Sequence, residues 1–375
     1  MPQVWPFPVR NTLRESNEWL TDVIRSRTAE QRFAQRGRPR QTMLFTHTLS
    51  DYQYQGARAL IRSATDGRFL IPDWPLAINV GAVSSGSHVS VDYGSPYAEL
   101  TDGDLALLWE SVDKYEPVVI ESADSADGFV LDSSAASYES AYLIPLREAI
   151  APDGLDTDRA AGPVLQSSIE FILTDSTDQG QSSYPKYLGD DIIDDCPVIA
   201  SATFSEPIQY EFDEVDPGVG YPSLFRSRTP SLEKFSMRWH VFTPADVYTL
   251  RRFVHSRRGK WKAFWLPSYR PDLQLAQSIG PSDTSLTVYA PAGVTDLGDD
   301  TFDVQIAGLY NKRITSYSVS GGTLILNFSG SLGVSLGTSA KVSYLRKVRF
   351  DADRIEFNHS ANAGVICSVP CVEVP

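Results

Sequence analysis

The chain has 375 residues, 42% of them hydrophobic and 21% charged, with a formal net charge of −14. That balance excludes a disordered chain, and the length exceeds one typical domain. Nucleic-acid affinity comes mostly from neutralising phosphates, so a chain this acidic is a poor grip for DNA or RNA.

The opening MPQVWPFPVR lacks a basic region followed by an apolar run, and no later segment approaches the roughly 20 apolar residues of a membrane span. A soluble protein without an export signal is expected. An extended stretch follows, Trp19 to Thr48, holding the arginine-rich run from Arg25 to Arg40. Such a run reads as a solvated or subunit-facing segment, with a nucleic-acid arm as the other reading. Ser50 then suits a helix N-cap, Tyr54, Ala57, Ile61 and Ala64 make an apolar stripe, and Gly67 is the stop. Phe69, Leu70 and Ile71 lead to Pro72, with Trp74 two residues further on. Strand-like runs come next at NVGAVSSGSHVSV, LALLW, PVVIES, GFVLD and AYLIPL, which closes on Leu146-Arg147. An acidic turn, a small-residue turn at Ala161-Gly162 and a final strand end the series near Leu173.

The acidic, Ser/Gly-rich segment Thr174 to Cys196 reads as a linker. Its run from Gly189 to Asp195 lacks the ligand spacing of an EF-hand, and a solvated acidic turn is expected. Beyond it the series repeats. Ile199 to Val241 is extended, and Thr243 caps a helix with Pro244 at its first position and Asp246 in its first turn. Val247, Leu250 and Val254 form its stripe, and Gly259 follows the basic pair Arg257-Arg258. Trp261, Phe264, Trp265 and Leu266 lead to Pro267 and Tyr269. The strands SIGPSDTSLTV, TFDVQI, ITSYSV, TLILNF and AKVSYL close on Leu345-Arg346, and the last strands include a turn at Ala363-Gly364. The same order twice predicts tandem copies at 1–178 and 179–375. Each is expected to insert a small antiparallel β-barrel, at about 80–146 and 277–345. The fold class is mainly β with a few short helices. Gly67, Pro72, Trp74 and Leu146 in the first copy match Gly259, Trp265, Pro267 and Leu345 in the second as a structural repeat signature.

A catalytic constellation does not emerge. His47, His88, His240, His255 and His359 form no paired metal motif, and GxSxG, P-loop and GxGxxG signatures are absent. Cys196, Cys367 and Cys371 fall short of a closed metal site and of an even disulfide framework, so buried free thiols are expected. Cys367 and Cys371 share one face of a strand. No catalytic, cofactor-binding or metal residues and no cofactor are assigned, and the protein is read as a non-enzyme. Trp74, Trp261 and Trp265 are expected in cores rather than as sugar-stacking platforms.

The opening WPFPVRNTLRESNEWLTDVIRSRTAEQRFAQRGRPRQ, the two helix–Gly–aromatic–Leu/Ile-Pro units and the closing VRFDADRIEF…VEV resemble distal tail (tail-tip, baseplate) proteins of long, flexible-tailed bacteriophages. The likeness is carried at Trp19, Glu30-Gln31-Arg32, Pro39-Arg40, Gly67, Pro72, Trp74, Gly259, Pro267 and Phe350-Asp351. It implies belt domains, each a β-sandwich packed on one helix, assembling into a ring in the virion tail tip after synthesis in the host cytoplasm. The implied partners are further copies of itself, as a pseudo-sixfold trimer or a hexamer, with tail tube, hub and fibre or receptor-binding proteins. Neither a membrane nor a specific nucleic acid is among them, although DNA would pass through the lumen. The alternative is a carbohydrate- or cell-wall-binding β-module protein, with or without glycan-degrading activity.

Overall fold

A computed structural model describes residues 2–9, 12–26, 29–91, 100–124, 128–159, 164–175, 179–194, 208–209, 212–226, 232–291, 297, 301–360 and 364–374. Among them the chain is mainly β, with two α-helices, α1 (Asp51–Ser63) and α2 (Pro244–Arg257). Both helices begin where their caps predict. The Ser50 hydroxyl accepts from Gln53 N at 3.2 Å, and Gln53 Oε1 accepts from Ser50 N, which completes a capping box. Thr243 Oγ1 accepts from Asp246 N at 3.2 Å, with Pro244 opening the helix. Gly67 takes φ +65° in the turn after α1. At the end of α2 the left-handed turn starts one residue before the glycine, with Arg258 at φ 54° and Gly259 at φ +62°.

The strands around each helix pair in the same order. In the first half Arg40–Ser50 pairs with Val164–Leu173, which also pairs with Leu155–Arg159 and Tyr138–Ile150, and Arg68–Pro72 lies against Tyr138–Ile150. In the second half Leu232–Val241 pairs with Gly364–Glu373, which also pairs with Arg354–Ser360 and Val342–Phe350, and Phe264–Pro267 lies against Val342–Phe350. The register agrees residue for residue. Leu146 stands opposite Pro72, and Leu345 stands opposite Pro267. The next backbone amides also match: Asp73 N donates to Pro145 O, and Ser268 N to Tyr344 O, both at 2.9 Å. Each helix covers an aromatic-rich core. The first holds Trp5, Phe7, Phe45, Phe69 and Phe171, the second Phe253, Phe264, Phe350 and Phe357.

The inserted strands have cores of their own, around Leu108, Ile120 and Leu143 in the first half and Val304, Ile314 and Leu326 in the second. The closed barrels expected for them are not formed. In the first insert the ladder runs from Ile78–Val83 through Tyr138–Ile150, Leu105–Ser111, Lys114–Asp124 and Gly128–Ala135 to Gly86–Ser90. It stops there. Register shifts between Tyr138 and Tyr142 interrupt the pairing of Tyr138–Ile150 with Ile78–Val83, and among the described residues no ladder joins Ile78–Val83 to Gly86–Ser90. In the second insert the single bridges Leu273 to Val342 and Leu275 to Val288 span the corresponding gap, with no ladder across it among the described residues.

Candidate functional site: the joint between the halves

One strand holds the halves together. Thr12–Glu18 pairs on one side with Arg40–Ser50 of the first half and on the other with Arg354–Ser360 of the second. Beyond Leu13, its buried side chains are polar. Glu15 is 1% exposed and its Oε2 accepts from Arg251 Nη2 of α2 at 2.6 Å, where Arg251 is 2% exposed. Glu15 Oε1 accepts from Asn17 Nδ2, Asn17 Oδ1 from Gln41 Nε2, and Gln41 Oε1 from Arg147 Nη2 at 3.2 Å. Arg147 also donates to Asp175 at 3.0 Å. Asp73 lies between the two arginines, 3.9 Å from each. A ring of buried polar groups therefore spans the joint.

Two carboxylates share one arginine there, and they titrate apart. Burial pushes Glu15 up, but Arg251, with His359 and Asn17, overrides burial and leaves it far below the usual carboxylate range. Asp73 is raised, because burial and the neighbouring Glu15 charge outweigh Arg251 and Arg147.

Beyond that strand the chain forms a hairpin, Thr21–Arg25 with Glu30–Ala34, which lies on the second half. Glu30 takes Arg349 in a two-point ion pair, Nε to Oε1 at 2.6 Å and Nη2 to Oε2 at 3.0 Å. Arg25 and Arg32 approach the same carboxylate at 3.0 and 3.5 Å. The arginine-rich run is therefore partly ion-paired within the chain. Trp19 sits in the core of the second half, edge-on to His255 at 5.5 Å. Gly259 makes room for it. A Cβ at Gly259 would press on Asp353 and come within 3.3 Å of Trp19 Cβ. Asp353 ties the corner by accepting from Thr21 N at 2.9 Å and Lys260 N at 3.1 Å.

Of the signature residues, Pro72, Leu146, Pro267 and Leu345 meet as register pairs, while Gly67 and Gly259 shape the turns after the helices. Trp74 lies in a 3-10 turn, edge-on to Trp109 at 5.2 Å. Trp265 is 4% exposed and packs on Tyr187. These residues build the two scaffolds and do not converge on one pocket. The acidic run is not a solvated turn: Asp191 is buried on Arg257 at the basic end of α2, at 2.7 Å, and Asp190 pairs with Lys347 of the Val342–Phe350 strand at 2.8 Å. Cys367 and Cys371 are free and buried, and Cys196 and Ala161-Gly162 lie outside the described residues. Among the described residues no group of three or more His, Cys, Asp or Glu could hold a metal ion. Sequence reasoning missed Glu15, Gln41, Asp73 and Arg251. The one local signal was Arg251 itself, a charge beside Leu250 in the middle of a buried helix.

No protein-family model matches the chain, and no curated protein matches it in sequence.

Proposed function

We propose that the chain is a structural component of a bacteriophage tail tip. It is built from two tandem belt-like units and forms a ring that joins the tail tube to the hub, fibres or receptor-binding proteins. The observation that carries this reading is the shared pairing order of the two halves, fused edge to edge by the Thr12–Glu18 strand. A module that meets its neighbour along a strand edge can repeat around an axis, and heterologous contacts close into a ring when the rotation allows. Three chains then supply six near-equivalent modules, matching a sixfold tube to a threefold tip. The net charge of −14 suits a lumen through which DNA slides without releasing counterions. Trp265 and Trp74 are engaged with their own scaffolds, which weighs against a flat sugar-stacking platform at those positions. Native mass spectrometry of the purified chain, with negative-stain imaging, tests the proposal. Closed particles of three chains are expected, six whole chains would replace the trimer by a hexamer, and a monomer at all concentrations would end the ring reading.

A further inference from the structure

Equivalent surfaces of the two halves are covered very differently. Counted from their N-caps, Arg58 holds in α1 the position of Arg251 in α2, and Arg62 that of His255. Arg251 and His255 are 2% and 0% exposed, because the Thr12–Glu18 strand and Trp19 lie on that face. Arg58 and Arg62 are exposed, and neither has an ion pair among the described residues. The strands tell the same story. Arg354–Ser360 pairs on both sides, with Gly364–Glu373 and with Thr12–Glu18. Its counterpart Leu155–Arg159 pairs with Val164–Leu173 on one side and carries no ladder on the other among the described residues.

The second half in turn carries a hairpin that mirrors the docked one. Phe212–Val215 pairs with Ser223–Arg226 and precedes the long strand Leu232–Val241, as the Thr21–Ala34 hairpin precedes Arg40–Ser50. Instead of lying on a neighbour it shows Val215, Val219, Tyr221, Leu224 and Phe225 to solvent, Tyr221 at 95% exposure. Where the first hairpin finds Arg349, the register puts Ile150 in the first half, opposite Arg68 as Arg349 follows the pair Val348–Phe264. The exposed apolar side chains of this hairpin thus have an apolar position to match in the first half, where the docked hairpin has Arg349 in the second.

We infer that the outer face of α1, at Arg58 and Arg62, together with the open edge of Leu155–Arg159, docks the second half of another copy of this chain through its 212–226 hairpin. The occupant follows from continuity with the joint inside the chain: the same faces are already joined once, half to half. An open strand edge on one half and an exposed apolar hairpin on the other invite pairing between chains. The contact is heterologous, so each chain offers one donor arm and one acceptor face. The inference rests on the ring reading and names its chain-to-chain surfaces.

The test uses two surface variants of the full chain, an acceptor variant Arg58→Glu/Arg62→Glu and a donor variant Tyr221→Asp/Phe225→Asp, measured by light scattering and native mass spectrometry. All four positions are exposed, and circular dichroism checks that each variant folds. Each variant alone should lose self-association by at least tenfold. Mixed, they should form a species of two chains that grows no further, since the acceptor variant keeps a good arm and the donor variant a good face. A wild type that assembles while both variants assemble equally well overturns the surfaces and leaves the ring standing. Variants that stay monomeric even when mixed also overturn the surfaces. A wild type that remains monomeric, or that uses Arg58 and Arg62 only toward a different tail protein, overturns the second-copy occupant and the ring together.

Discussion

Replacing Arg251 with methionine removes the guanidinium 2.6 Å from Glu15 and keeps most of the side-chain volume. Glu15 would then hold a negative charge at 1% exposure, with Asn17 Nδ2 at 2.9 Å and the His359 ring at 3.4 Å as its remaining partners. Breaking a buried pair by deleting one partner costs about 3–5 kcal/mol, since the remaining charge loses its compensation without regaining water. The double replacement Glu15→Gln/Arg251→Met removes both charges, and should recover at least half of that loss. Thermal unfolding followed by calorimetry reads the difference: a fall on the order of 10 °C for the single variant and a much smaller one for the double. Glu15 also sets a pH dependence. Its pKa is lowered in the fold, so its contribution is present above the unfolded value near 4.3 and is lost as pH falls below it. The single variant should therefore gain relative to wild type as pH drops from 5 toward 3. A single variant within about 1 kcal/mol of wild type at pH 7 would refute the claim that this pair fastens the halves.

His47 is buried, accepts from Trp5 Nε1 at 3.1 Å and donates to Pro8 O at 3.0 Å, and burial pushes its pKa down to about 4. The unfolded chain binds its proton first, so stability should fall as pH drops from about 6.5 to about 4, by roughly 3 kcal/mol, and His47→Gln should flatten that slope. Gly259→Ala should cost at least about 2 kcal/mol, because a Cβ there meets Asp353 and Trp19 as well as the left-handed backbone. Gly81→Ala, also at positive φ but with nothing within 4 Å, should cost only about 1 kcal/mol in the same denaturant titration. Burial pushes the thiols of Cys367 and Cys371 well up, so neither should take iodoacetamide in the native protein, and both should react once it is unfolded. Peptide mapping of the alkylated protein would show the reverse if either strand face were open.

What could be read from the sequence was local. Ser50 and Thr243 cap their helices because capping needs only the next three residues. Pro72 and Leu146, like Pro267 and Leu345, were visible as members of a repeated order, but that each pair meets across a ladder came only with the fold. The inserted strands were also legible, but not their failure to close, which depends on long-range pairing that no local pattern carries. The joint was illegible for a different reason. Glu15 and Arg251 are 236 residues apart, and Glu30 and Arg349 are 319 apart. Each alone looks like an ordinary solvated charge, and only the fold brings them together. The run from Gly189 to Asp195 misled in the same way, because the partner of Asp191 lies at the far end of α2.

The Thr12–Glu18 strand also sets a clock. Its ladder to Arg354–Ser360, with Glu15 and His359 separated by 344 residues, cannot form until that strand has been synthesised. At translation rates of about 5–20 residues per second, the early strand waits roughly 20–70 s for its partner. Through that interval the nascent chain holds Trp19 and Glu15 without their cavity or their arginine. A ribosome-bound chaperone covering the first forty residues would protect the species most exposed to misassociation, and a slow codon run late in the message would lengthen its exposure.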